Sequence, residues 1–291
     1  MTLLTDRARV LPPELVAALD DYVGDGGGSG LEAARALSPA EAIAVLVEAG
    51  LRGRGGGGYP TGRKWESVRE FASPTVPTTV VVNGAEGEPG SFKDRMILRR
   101  NPYLVLEGAL IAAHVLGATD VIVGVKGLFA AEHARLVAAA AEIRSAGWCT
   151  GIDISVFEGP SEYLFGEETA LLEAIEGRPP FPRIAPPWRR GVEAIRTDND
   201  DTKSAADVEL ATADGETDAP PTLVDNVETM ANVPAILANG PAWFRELGTK
   251  DSPGTIVVTI TGAVQHAGVA EVPMGTSLAS VIDEIGGGAR P

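Results

Sequence analysis

The sequence predicts an α/β fold, a parallel sheet layered with helices and followed by a smaller unit rich in strands. Three observations carry that reading. Apolar, β-branched runs at residues 78–83, 120–125 and 152–157 alternate with helix-patterned stretches at 103–116 and 130–146. The stretches between these runs are long enough for the crossover helices that parallel strands require. From Gly254 onward the pattern changes to strand, turn, strand and one short helix.

Taken in order, residues 1–23 read as a short helical extension. Residues 24–30, glycine interrupted by Asp25 and Ser29, read as a hinge, and the two make up an N-terminal extension over 1–37. Ser38-Pro39-Ala40-Glu41 is a capping box with proline at the first helical position. The helix it opens runs to about Ala49, where Gly50 stops it.

Then comes Gly53-Arg54-Gly55-Gly56-Gly57-Gly58-Tyr59-Pro60-Thr61-Gly62-Arg63-Lys64-Trp65, in which five of the first six residues are glycine. Backbone without Cβ atoms approaches a planar or phosphorylated ligand closely. Amides entering a helix N-terminus, with Lys64 beside them, form an anion site. A flexible linker is the plain alternative, but linkers rarely carry Tyr-Pro, Lys-Trp and two arginines. P-loop spacing fails: with Gly57 and Gly62 as its glycines, Arg63 stands where lysine belongs and Lys64 where Ser or Thr would hold magnesium. A dinucleotide fingerprint fails as well, because the preceding residues 41–51 read as helix rather than strand. The loop is a nucleotide cradle of another type, and residues 65–71 continue from it as a helix.

The β-branched run at 78–83 is a buried strand. Gly84-Ala85-Glu86-Gly87-Glu88-Pro89-Gly90 forms an acidic turn at its end, where open α/β sheets gather ligands. Tyr163-Leu164-Phe165-Gly166-Glu167-Glu168-Thr169 opens a helix running to Ile175. Its two carboxylates serve either as helix-dipole partners or as acceptors for ligand hydroxyls. Residues 178–188 hold five prolines and cannot be regular structure. Residues 193–220 carry nine acidic and two basic side chains, which reads as a disordered or surface insertion. Asp225-Asn226-Val227-Glu228-Thr229 starts a helix to about Ala238. A strand at 255–261, a turn into a second strand ending near Val272 and a helix at 277–285 make half of a β-grasp-like module. The main domain is thus expected over 38–245 and the module over 254–291.

Composition narrows the function classes. Hydrophobic residues make up 44% of the 291, ample for a core. A net charge of −16 and a pI near 4.6 argue against nucleic acid as a general partner, which needs a basic face. No apolar run reaches the length of a membrane span, and no apolar core follows the first basic residues as in a signal peptide. The chain therefore reads as cytoplasmic, with a place at the periphery of a membrane complex left open. Cys149 is the single cysteine, which excludes an internal disulfide and an all-cysteine cluster. His114, His133 and His266 have no neighbours at metal-ligand spacing, so no metal site is expected.

Four motifs stand in one order: the glycine run 53–62; Asn83 to Gly90 with Phe92-Lys93-Asp94-Arg95; Gly166-Glu167-Glu168-Thr169-Ala170-Leu171; and Asn226-Val227-Glu228-Thr229. Together they resemble the FMN-binding flavoprotein subunit of respiratory complex I and the related diaphorase subunits of NAD-linked hydrogenases and formate dehydrogenases. The resemblance covers about residues 38–285. The tail from Gly254 looks like the start of that family's ubiquitin-like SLBB domain. It implies a Rossmann-like FMN-binding domain that passes a hydride from NADH to the flavin and electrons singly to a 4Fe–4S cluster.

By motif position, Gly53, Arg54, Gly55, Gly56, Gly58 and Lys64 would cradle the FMN phosphate and ribityl chain. Asn83 and Glu86 would face the flavin, and Gly166, Glu167, Asn226 and Thr229 would close the site. For NADH, Glu168 would accept the adenosine-ribose hydroxyls and disfavour a 2′-phosphate. Tyr59 and Trp188 would offer stacking surfaces in place of family phenylalanines, and Glu88 belongs to the same set.

Four departures from the family pattern stand out. Ala85 replaces an acidic residue, Asp225 the first Asn of an Asn-Asn pair, Ala185 a lysine before Pro186-Pro187, and Phe165 a cysteine before Gly166. An ionised Asp225 would disfavour a reduced, anionic flavin nearby. No Cys-x-x-Cys-x-x-Cys occurs, so this chain is expected to ligate no cluster and to need a separate iron–sulfur or ferredoxin-like acceptor. The alternatives are a degenerate FMN-binding or scaffold subunit without NADH oxidation, and a flavoprotein served by a ferredoxin-type partner.

Overall fold

The computed structural model describes residues 2–3, 8–73, 77–192 and 221–290. The acidic stretch at 193–220 lies outside the described residues.

The chain opens with β1 (Thr2–Leu3), and helix begins only at α1 (Leu19–Gly24). Residues 8–18 are therefore not the helix expected. Pro12 and Pro13 cannot donate helical hydrogen bonds. Just before them, the amides of Arg9, Val10 and Leu11 donate to the buried carboxylate of Glu271 at 2.8–2.9 Å. The glycines at 24–30 are likewise not a hinge. A Cβ on Gly27 would lie 2.4 Å from the Tyr22 ring and one on Gly30 2.4 Å from the Pro234 carbonyl oxygen. These glycines permit close packing, and Gly28 and Leu31 donate their amides to the fully buried Glu107.

Next come α2 (Ser29–Ala36) and α3 (Pro39–Ala49). The expected capping box closes on Ser38 and Glu41, and Gly50 ends α3 in the left-handed region (φ 72°). The glycine loop leads into α4 (Thr61–Glu70). From there strands and helices alternate: β2 (Thr78–Gly84), α5 (Lys93–Arg100), α6 (Pro102–Leu116), β3 (Ala118–Lys126), α7 (Ala130–Ser145) and β4 (Asp153–Gly159). A 3-10 turn at Tyr163–Gly166 leads into α8 (Glu168–Ile175). Two of these elements were not expected from the sequence: α5, and a strand β5 (Thr222–Asn226) that precedes α9 (Val227–Arg245). The helix expected from Asp225 thus starts two residues later, and it breaks at Gly240 (φ 84°) before Pro241.

The main sheet is wholly parallel, in the order β4-β3-β2-β5. Alternation decides which face each side chain serves. Val80 and Val82 join the core formed with α6 and α7, whereas Val81 and Val224 pack with Leu171 and Leu172 of α8 on the opposite face. All of α6 except His114 is buried. It crosses α9 closely, because Gly108 has no side chain to hold off the backbone of Met230. The result is a doubly wound, Rossmann-like α/β domain. Its strand order reverses between β2 and β5, and the crevice beyond the carboxyl ends at such a switch point is where these sheets receive ligands.

β6 (Thr255–Ile260) and β7 (Gly268–Pro273) form an antiparallel pair, followed by the one-turn helix α10 (Leu278–Ser280). β1 adds to this pair, lying parallel to β7 with Thr2 opposite Val269 and Leu3 opposite Ala270. The first and last parts of the described chain thus share one three-stranded sheet. Among the described residues no helix is long and apolar enough to cross a membrane.

Candidate functional site

A cleft of about 350 Å³ opens at the switch point, beyond Asn83 of β2 and Asn226 of β5. Its floor is the glycine loop. The Gly53 amide donates to the Tyr59 carbonyl at 2.8 Å, and the Arg52 side chain donates to the Gly58 carbonyl at 2.9 Å. Two left-handed residues, Gly56 (φ 109°) and Gly58 (φ 60°), shape the turn between them. The loop lies against the start of α9, where a Cβ on Gly55 would come within 3.2 Å of Asn226 Cβ and the Arg54 amide donates to Thr229 Oγ1 at 2.8 Å. Gly57 lines the cleft, and a Cβ there would meet nothing within 4 Å.

Two helix N-termini open on the cleft, those of α8 and α9, and α4 reaches it through Lys64 of its first turn. Glu167 caps α8, its Oε2 accepting from the amides of Thr169 and Ala170, and Asn226 caps α9 through the amide of Glu228. The start of α4 has neither a side-chain cap nor an acidic residue in its first turn. Its Thr61 amide instead donates to the Leu51 carbonyl at 2.9 Å, Gly62 packs against Val47, and Lys64 is the residue through which α4 reaches the cleft.

Lys64 projects from that turn. Its Nζ donates to Glu168 Oε2 and to the Val224 carbonyl, both at 2.7 Å, and lies 3.9 Å from Asp225 Oδ1. Burial alone would lower its pKa, but Asp225 and Glu168 reverse this and hold the ammonium above the ordinary lysine range. Asp225 is buried, and its Oδ2 accepts from the Trp65 indole N–H at 3.0 Å. Burial raises its pKa against the opposing pull of Lys64 and the indole.

A second ionic cluster backs the cleft. Lys93 Nζ sits 2.7 Å from Asp94 Oδ1, 3.1 Å from Glu228 Oε2 and 3.1 Å from Asn226 Oδ1, while Asn226 Nδ2 donates to Asp94 Oδ2 at 2.8 Å. Asn83 completes the arrangement by donating to the Gly166 carbonyl at 2.8 Å. Across the cleft, Trp188 is carried on the proline-rich segment. Arg183 fastens that segment to α8 through Glu173 and Glu176, and to itself through the carbonyls of Arg190 and Gly191.

Of the residues singled out in the sequence, the cleft collects Gly53, Gly55, Gly58, Lys64, Asn83, Gly166, Glu167, Asn226 and Thr229, with Tyr59, Glu168 and Trp188. Four others point elsewhere. The guanidinium of Arg54 is buried and donates to the carbonyls of Arg52, Pro253 and Thr255, so it ties the loop to β6 instead of facing a phosphate. Gly56 stands at the exposed tip of the loop. Glu86 turns away to hold Ser91 and Arg95, and Glu88 accepts from the Tyr163 hydroxyl. Conversely, Gly57 and Val224 line the cleft without having been assigned to it, and Asp225, expected near the flavin only by its motif position, lines it as well; the last two belong to the unexpected strand β5. Phe165 is fully buried against Phe157 and fills the core behind Gly166.

Residues 46–235 match the family model described as the Nuo51 FMN-binding domain. The chain belongs to this family. In this Nuo51-family chain, residues 257–291 also match the SLBB domain model. The chain is 35% identical to the F subunit of NADH-quinone oxidoreductase in Aquifex aeolicus, over 94% of its own length and 60% of that protein. It is 35% identical to the HndC subunit of the NADP-reducing hydrogenase in Solidesulfovibrio fructosivorans, over 93% of its own length and 52% of that protein. The solved NAD+-reducing [NiFe]-hydrogenase in its H2-reduced state has a chain that superposes with a TM-score of 0.75 at 33% identity, covering 96% of this chain and 44% of that one. This Nuo51-family chain thus spans about half to three-fifths of the curated relatives it matches.

Proposed function

We propose that the cleft binds FMN and that the chain is the NADH-oxidising module of an electron-transfer assembly. The carrying observation is the convergence of the glycine loop, Lys64 and the starts of α8 and α9 at the switch point. The cradle fits a flat, phosphorylated ligand. Gly53, Gly55, Gly57 and Gly58 offer bare backbone along one wall, and a cleft of this size suits a cofactor. Bound FMN supplies the redox chemistry, accepting a hydride and releasing electrons singly.

The protein contributes position and charge. The Lys64 ammonium meets the phosphate. Asn83, Gly166 and Asn226 are already fixed by their own hydrogen bonds and shape the ring pocket without rearrangement. Tyr59 and Trp188 give flat apolar surfaces to the dinucleotide. Glu168, more exposed than Lys64, takes its ribose hydroxyls and repels a 2′-phosphate. In this reading the FMN- and NADH-binding domain runs over 38–245 and the SLBB module over 254–291. Electrons leave to a separate iron–sulfur or ferredoxin-like protein, and the chain works in the cytoplasm, free or at the edge of a membrane complex.

The test is an absorption spectrum of the protein supplied with FMN, before and after anaerobic NADH. Flavin bands that bleach support the reading, and NADPH run alongside probes Glu168. Failure to take up FMN overturns it. Flavin bands that persist favour a second reading, an FMN-holding subunit without NADH oxidation. One observation speaks for that alternative: Lys64 is already engaged by two carboxylates.

A further inference from the structure

The charged side chains lining the cleft are unbalanced. Lys64 is the one cation among the described lining residues, against Glu167, Glu168 and Asp225. Lys93, just behind, is held by Asp94 and Glu228 and carries no surplus charge into the cleft. Glu167 spends its carboxylate on the amides of α8, and Glu168 reaches toward solvent. Asp225 differs from both: it is 5% exposed, sits on β5 beneath the cleft, and has no helix to cap.

Its contacts are those of a carboxylate. One oxygen accepts from the Trp65 indole, and the other faces an ammonium whose two short hydrogen bonds go to Glu168 and the Val224 carbonyl. Trp65 is itself fully buried, so the indole fixes the carboxylate in place. An anion held there in low dielectric opposes any negative charge added to a ligand above it. It also offsets the one cation able to stabilise that charge.

We propose that Asp225 sets the reduction potential of this site, holding the bound flavin at a lower potential than a neutral residue at that position would. The inference rests on the FMN reading above. It makes Asp225 a positioning charge: it acts on the ligand through space and through Lys64, and it bonds to no reacting atom. A site biased in this way releases electrons more readily to the next carrier.

The experiment compares wild type with Asp225→Asn and Asp225→Ser, each loaded with FMN and titrated spectroelectrochemically. The two variants share neutrality but differ in size and in their ability to accept from Trp65. Both are expected to favour the reduced over the oxidised flavin about tenfold more than wild type, which raises a two-electron midpoint by about 30 mV. Trp65→Phe, which keeps the charge, is expected to shift it by less than half as much. A midpoint unchanged or lowered in a neutral variant that binds FMN overturns the inference and leaves the FMN reading standing. Wild type that binds no FMN in equilibrium dialysis overturns both.

Discussion

The Glu228 carboxylate accepts the Val257 amide at 2.8 Å, so one buried acid joins the first turn of α9 to strand β6. The residue that follows it, Thr229, receives the amide of Arg54. Cleft and second unit are therefore bonded to successive residues of one helix. Burial raises the Glu228 carboxyl to about 7, with Lys93 pulling the other way.

A carboxyl raised in the folded state above its ordinary 4.5 binds its proton more tightly when folded. Its contribution to stability is fully present below that value and is lost as pH rises through 7. Wild type is expected to lose up to roughly 3 kcal/mol relative to Glu228→Gln between pH 4.5 and 7.5. Thermal melts of both proteins across that range check the sign. A difference between them that stays constant with pH would show that Glu228 does not titrate there.

Arg54 should matter to stability rather than to phosphate binding. Its guanidinium donates to three carbonyls, two of them about 200 residues away, from a site 6% exposed. Arg54→Met strands those carbonyls and should cost about 2–4 kcal/mol. Arg54→Lys should recover little, because an ammonium cannot reproduce the fork. Urea unfolding at fixed pH measures both; a wild-type midpoint in either variant would contradict the role.

The glycine loop separates binding from folding. Gly57→Ala adds a methyl group where nothing lies within 4 Å, at a backbone angle other residues accept. The apo protein should melt within about 2 °C of wild type or slightly above it. FMN affinity, followed by quenching of flavin fluorescence, should nevertheless fall at least tenfold. Gly58→Ala, at φ 60°, should lose about 1 kcal/mol of apo stability. Normal FMN affinity in Gly57→Ala would move the ligand off this wall.

Arg183 holds the segment that carries Trp188. Arg183→Gln should leave FMN affinity unchanged while raising the KM for NADH about tenfold, with kcat lowered less, as expected when a binding surface is loosened. Trp188→Ala should match it. Limited proteolysis should cut residues 178–190 faster in Arg183→Gln than in wild type. A variant with unaltered KM and cleavage would separate Arg183 from the cleft.

Much of this arrangement is legible in the sequence because it is local. The capping box at Ser38, the stop at Gly50 and the β-branched run through Val80, Val81 and Val82 each announce their structure within a few residues. Strand β5 does not. Only Thr222, Leu223 and Val224 separate Pro221 from the polar Asp225-Asn226 pair, and their extended form comes from hydrogen bonding to β2. Without the strand, nothing in the sequence places Val224 at the cleft, and Asp225 is placed there only by its position beside the Asn226-Val227-Glu228-Thr229 motif. Arg54 misleads for the opposite reason. Its glycine neighbours suggest a phosphate, but its acceptors lie on the segment entering β6, which only the folded chain brings near. Glu86 carries a local hint, since Ser91 and Arg95 stand five and nine residues further on, at the edge of α5.

The pairing of β1 with β7 also sets an order in time. Thr2 and Leu3 are synthesised 267 residues before Val269 and Ala270, their partners. At ordinary rates of translation that gap lasts on the order of 10–60 s. The amides of Arg9, Val10 and Leu11 wait nearly as long for Glu271. The sheet of the second unit is thus completed by a segment made before the parallel sheet that lies between its two parts in the sequence.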